Sequence, residues 1–157
     1  MGSLDTPTRG LSLKARALRW LSQREHSRHE LRAKLLRAGD ADATAVEALL
    51  DQLVAQGHLS DARFVESRVY ARQARFGNRR IEHELRRQGV SPEPELRQQL
   101  RATELARARE VWRKKFGGLP AADAAGRARQ ARFLAARGFS AEVVRKVVAG
   151  GLDDELA

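Results

Sequence analysis

Between Arg63 and Arg87 the chain carries eight arginines against three acids, Glu66, Glu82 and Glu84, a net charge of +5 in 25 residues. On a helix Arg68, Arg72 and Arg75 fall within roughly 60° of one another, beside an apolar stripe of Val65, Val69 and Phe76. Arg79 and Arg80 follow at the helix end, and Arg86 and Arg87 continue the ridge. Guanidinium forks match phosphate and carboxylate geometry, so such a ridge can track a nucleic-acid backbone or dock on an acidic protein surface. The competing reading is a solvated face paired with the three glutamates; we take the ridge as the working surface. A second cluster expected on the binding surface, Arg107, Arg109, Arg113, Lys114 and Lys115, interleaves with Val111, Trp112 and Phe116. Trp112 could stack on a base, but a tryptophan at helical spacing more often belongs to a core.

Other chemistries find no constellation. His26, His29 and Glu30 lie close in sequence, as do His58 with Asp61 and His83 with Glu84, yet none has a third ligand at a recognisable spacing, and these read as surface histidines beside charges. No metal or cofactor is expected. No G-x-x-x-x-G-K-[ST] loop cradles a nucleotide, because the Gly117-Gly118 stretch has no lysine. The carboxylates are scattered, so neither a nucleophile–base pair nor the Mg²⁺-binding acid cluster of a small nuclease can be assembled, and an enzyme is not expected.

The elements that must position these cations repeat. Gly39, Gly89 and Gly138 stand 50 and 49 residues apart, each four residues after a leucine, Leu35, Leu85 and Leu134, that closes an arginine-rich helical run. A polar step follows each glycine, then another apolar-periodic run: Val46, Leu49, Leu50 and Leu53; Leu96 and Leu100; Val143, Val144, Val147 and Val148. Alternating β-branched residues are nowhere present over a strand length, so the expectation is all-α: three tandem three-helix repeats stacked into an elongated, curved array, an architecture that favours binding over catalysis.

The first repeat, residues 11–57, holds helices over Leu11–Gln23, from Ser27 with Glu30 in a capping box, and over Ala43–Gln56. The second, 58–102, has helices from Ser60 or Asp61 to about Phe76, from an Asn78 cap to Gly89, and a short one around Glu95–Leu100 after Pro92 and Pro94. The third, 103–152, has Thr103–Phe116, Ala121–Arg137 and Ser140 to about Ala149, with Gly117-Gly118-Leu119-Pro120 as a hinge candidate. Trp20, Leu31, Leu35, Leu53, Phe64, Val69, Leu85, Leu134 and Val144 are expected in the core. Residues 1–10 and 153–157 read as a disordered tail and an acidic tail; Met1-Gly2 with Thr6 fits the loose myristoylation pattern, but Asp5 and Pro7 suit a frayed tail as well.

Thirty Lys and Arg against 20 Asp and Glu give +10 over 157 residues, distributed +2, +4 and +4 over residues 1–57, 58–103 and 104–157. A polyanion, nucleic acid first, is the partner such an excess favours, through counterion release. The absence of cysteine excludes disulfides and thiolate chemistry and fits a reducing, cytoplasmic location. No apolar run approaches the ~18 residues of a membrane span, and the first ten residues lack a signal-peptide core.

The run Gly57-His-Leu59-Ser-Asp61-Ala-Arg-Phe64, followed by Arg72, Gly77, Arg80-Ile81, Glu84-Leu85 and Gly89-Val90, is similar to the middle repeat of the RecX family. Ser27-Arg-His-Glu30-Leu31 with Lys34-Leu35 resembles that family's first repeat, and Phe133-Leu134-Ala-Ala-Arg137-Gly138-Phe139-Ser140 its last, so the resemblance runs from about Leu11 to Leu152. His58 and Gln88 depart from it, standing where an aromatic and a lysine are common. The resemblance implies a non-catalytic regulator that binds the RecA recombinase filament, suppresses its ATPase and strand exchange, and contacts single- and double-stranded DNA. A monomer is expected. The alternative is a stand-alone basic nucleic-acid-binding protein with no recombinase target.

Overall fold

The computed structural model describes residues 11–39 and 41–150, all helix, turn and loop. The tails at 1–10 and 153–157 and the last residues of the third repeat lie outside the described residues. The chain forms two compact units: one takes the residues through Ser67 together with Arg87–Val90, the other Arg68–Arg86 and the residues from Ser91 onward.

In the first unit a polar side chain starts every helix by accepting a backbone N–H that has no partner within the helix. Ser12 caps α1 (Leu13–Gln23) through the Ala15 amide at 3.1 Å. Ser27 caps α2 (Arg28–Arg37) through that of Glu30 at 3.0 Å, and Asp42 caps α3 (Ala43–Ala55) through that of Ala45 at 2.8 Å. Ser60, rather than Asp61, accepts from the Arg63 amide at the start of α4 (Asp61–Arg72). The capping box at Ser27 is half built, because the Glu30 carboxylate takes the Arg24 guanidinium at 2.7 Å. Leu31, Leu35, Val46, Leu50 and Leu53 form a solvent-free core with Ala17, Leu49 and Leu59. Trp20 packs on the edge of this core, half-buried instead of enclosed, with the Lys34 ammonium 5.0 Å from its ring.

In the second unit, α5 (Asn78–Arg87) follows a turn that ends α4 at Arg72, four residues short of the expected Phe76. Next come α6 (Pro94–Phe116), α7 (Ala124–Ala136) and α8 (Ala141–Val148). The last three pack on one another around Ala108, Val111, Trp112, Leu134, Phe139, Val144, Val147 and Val148, with Phe116 and Phe133 meeting edge to face at 5.4 Å. The break expected between Leu100 and Thr103 does not exist. Arg101 and Ala102 are good helix formers, and the Thr103 hydroxyl bonds back to the Gln99 carbonyl at 2.9 Å, so α6 runs for 23 residues. The expected boundary between second and third repeats therefore lies inside a helix. Gly39, Gly89 and Gly138 adopt φ of +79°, +73° and +92° just beyond α2, α5 and α7, and the leucine four residues before each is fully buried. Of the expected core, Leu31, Leu35, Leu53, Phe64, Val69, Leu85, Leu134 and Val144 are buried, leaving Trp20 as the exception.

Candidate nucleic-acid and protein interface

The ridge is centred on Phe76, which is only 6% exposed. The guanidinium carbons of Arg72, Arg75, Arg80 and Arg137 stand 5.5, 5.5, 4.2 and 5.4 Å from its ring centroid. Each such cation–ring contact contributes about 0.5–1 kcal/mol where water still reaches the cation. Of these four, Arg72 and Arg80 share the Glu84 carboxylate, at 3.2 and 3.7 Å. Two ridge arginines are thus partly neutralised inside the protein, a correction to the expectation that the ridge holds none of its own ion pairs. Arg75, Arg79 and Arg86 are exposed and meet no carboxylate among the described residues, and Arg87 is likewise exposed. Arg68 is half-buried on α4.

Backbone packing fixes this cluster. The Gly77 amide donates to the Arg137 carbonyl at 2.8 Å and the Arg79 amide to the Gly138 carbonyl at 3.0 Å. The two glycines lie so close that a Cβ on Gly77 would fall 2.3 Å from the Gly138 carbonyl carbon, and one on Gly138 2.4 Å from the Arg80 Cβ. Gly138, at φ +92°, could not take a side chain without strain in any case. Beneath this junction, the Glu104 carboxylate, 4% exposed, accepts the Asn78 amide at 3.2 Å and the Ser140 amide at 3.0 Å. One buried anion so serves the starts of α5 and α8, where the helix dipoles favour negative charge. Asn78 is therefore not a side-chain cap as expected; its Oδ1 accepts from Arg107.

Arg107 is the clearest relocation. It was expected on the binding surface, but its guanidinium donates to the carbonyls of Gln73, Phe76 and Leu100, each at 3.0 Å, and to Asn78 and the Thr103 hydroxyl. Burial pulls its pKa down, opposed by Glu104 one turn earlier. Charge is legible in a sequence; the carbonyls left over at the end of α4, which a cation one helix away satisfies, are not. The remaining residues of the second cluster disperse. Arg113 and Lys114 gather on Glu110, at 2.6 and 4.0 Å, Lys115 lies 5.5 Å from the Phe133 ring, and Arg109 is half-buried. Trp112 is core, its indole N–H donating to Gln130 at 3.0 Å.

Arg137 was not among the expected site residues. Its partners on the ridge are about 60 positions away, and the only local signal was the Arg137-Gly138-Phe139-Ser140 motif. His26 also departs from expectation: it is 1% exposed, with Nδ1 donating to the Arg24 carbonyl at 3.0 Å and Nε2 accepting from Lys34 at 2.9 Å. Burial, with the Lys34 and Arg24 charges adding to it and the Arg24 carbonyl bond opposing it, lowers its pKa. Groups of three or more metal-ligating side chains are absent among the described residues.

This is a helical scaffold that anchors cations and carries no assembled catalytic constellation among the described residues. Family models for the first, second and third three-helix domains of RecX match residues 14–53, 60–93 and 102–148. The regulatory protein RecX of Ralstonia pickettii is 48% identical over 155 residues, covering 98% of this chain and 95% of its own; that of Herminiimonas arsenicoxydans is 50% identical over 147 residues, covering 92% and 96%. A crystal structure of RecX from Lactobacillus salivarius superposes with a TM-score of 0.70 at 16% identity, covering 90% of this chain and 94% of its own, which supports the fold. The chain belongs to the RecX family of regulatory proteins. Among its described residues, no helix is long and apolar enough to cross a membrane.

Proposed function

We propose that the protein regulates the RecA recombinase: it binds the RecA nucleoprotein filament and the DNA within it, and lowers RecA's ATPase and strand exchange. The observation that carries this reading is the set of exposed arginines without carboxylate partners among the described residues, Arg75, Arg79 and Arg86, on a rigid support in a chain of the RecX family. Unpaired surface guanidiniums gain most from a polyanion, because phosphate contacts release condensed counterions. RecA acts in the bacterial cytoplasm, so the protein acts there, as a monomer and without a cofactor. The test is the DNA-dependent ATP turnover of RecA with increasing amounts of the purified protein. Turnover should fall at sub-stoichiometric to stoichiometric amounts, while the protein alone hydrolyses no ATP. Unaltered RecA turnover together with tight DNA binding would favour the stand-alone nucleic-acid binder instead.

A further inference from the structure

We propose that Arg137, brought from the end of α7, completes with Arg75 and Arg80 a phosphate-binding clamp built on the Phe76 ring, and that its ligand is the backbone of a single nucleic-acid strand. This rests on the reading above that the ridge meets DNA. Four guanidiniums converge on one ring, and Glu84 is the only carboxylate among the described residues paired to any of them, so three positive charges stay uncompensated in one small region. The ring supports the cations without neutralising them. Arg137 also meets the Phe133 ring at 5.2 Å, and its Nη1 reaches the Arg75 carbonyl at 3.5 Å; no carboxylate among the described residues pairs with it. The array is held in place, since the Gly77–Arg137 and Arg79–Gly138 backbone bonds tie the two segments together. Preorganised forks lose little freedom when they close on an anion.

A nucleic-acid strand fits better than an acidic peptide because the cations continue in a row. Arg79 and Arg86, seven residues apart, share an exposed face of α5 about 10 Å apart along its axis, with exposed His83 between them. Regularly spaced cations suit the regularly spaced charges of a phosphodiester chain.

The experiment uses the full chain and a labelled oligothymidylate, and reads the slope of log K against log salt for the wild type and for Arg137→Gln, Arg137→Lys, Arg75→Gln and Arg113→Gln. Removing one phosphate-binding cation should reduce the slope by ~0.7. Arg137→Gln and Arg75→Gln should each show that reduction, Arg137→Lys should keep the slope while weakening binding several-fold because the fork is gone, and Arg113→Gln should do neither. A reduced slope for Arg75→Gln beside an unchanged one for Arg137→Gln overturns the clamp and leaves the ridge reading standing. Unchanged slopes for both sink the nucleic-acid reading of the ridge with it. If Arg137→Gln keeps DNA affinity but no longer inhibits RecA, the ligand is an acidic protein surface and the phosphate clamp is wrong. Should Arg137→Gln melt early, a full-affinity, full-slope Arg137→Lys without any weakening also counts against the clamp.

Discussion

Four arginines of the first unit meet carboxylates. Arg24 pairs with Glu30, Arg28 with Glu47 and Asp51, Arg32 with Glu47, and Arg63 with Glu25. Hydrogen bonds from Arg32 and then Arg28 hold the Glu47 carboxyl at about 2, well below the usual range. In the second unit Arg72 and Arg80 share Glu84 and Arg113 meets Glu110, but other arginines meet an aromatic ring, backbone carbonyls or solvent: Arg107 satisfies helix-end carbonyls, Arg137 lies on Phe76 and Phe133, and Arg75 and Arg79 are exposed without an acid among the described residues. The charge excess, +2 over residues 1–57 and +4 in each of the two following stretches, is thus also a difference in use. Where acids balance arginines, guanidiniums hold helices together; where they do not, some become structural plugs and the rest remain available to a partner.

The division breaks first if the supports of the second unit are not supports. Glu104→Ala strands two backbone amides at helix starts, each costing about 1–3 kcal/mol when left buried without an acceptor, so the variant should lose ~2–5 kcal/mol in denaturant unfolding. Leu85→Ala should lose a similar ~2–5 kcal/mol, since that leucine is fully enclosed. Curves that barely move would show that neither residue anchors α5. Arg107→Gln should cost about 1.5–3 kcal/mol, the range for hydrogen bonds to a charged group, while leaving the salt slope of DNA binding alone. The opposite pattern would return Arg107 to the surface where the sequence placed it.

A smaller effect sharpens the first unit's side of the comparison. His26 is held neutral by burial, by the Lys34 ammonium donating to its Nε2 and by the Arg24 guanidinium nearby, with the hydrogen bond to the Arg24 carbonyl and the Glu30 charge opposing them. Its folded pKa is below the unfolded value of ~6.5, so the unfolded chain binds more protons between the two values. Its contribution is complete above about pH 6.5 and is lost as pH falls below that value. Melting temperature should fall between pH 7.5 and 5.5 in the wild type and fall less in His26→Gln; equal slopes would remove His26 as the cause.

Much of this was legible in the sequence. The Leu-x-x-x-Gly endings at Leu35, Leu85 and Leu134 predicted three helix ends and three buried leucines, because both depend on local backbone geometry and apolar spacing. The Ser27 cap was legible for the same reason. The continuity of α6 was not, since the repeat pattern suggested a break that Arg101 and Ala102 give no chemical reason to make. Burial of charged groups also escaped. Arg107 and His26 look like surface residues until the carbonyls and the lysine they serve are brought next to them. The Phe76 cluster depends on the pairing of Gly77 with Gly138, 61 positions apart, which no local pattern announces.

The most direct test is charge reversal of Arg75 and Arg79 together, two ridge arginines that are exposed and pair with no acid among the described residues. Because exposed charges of this kind contribute only ~0–1 kcal/mol to stability, the Arg75→Glu, Arg79→Glu double variant should melt close to the wild type. It should bind DNA more weakly, with a shallower salt slope, and should inhibit the RecA ATPase less at every stoichiometry. A double variant that inhibits RecA as well as wild type, with DNA affinity intact, would contradict the assignment of this ridge as the working surface.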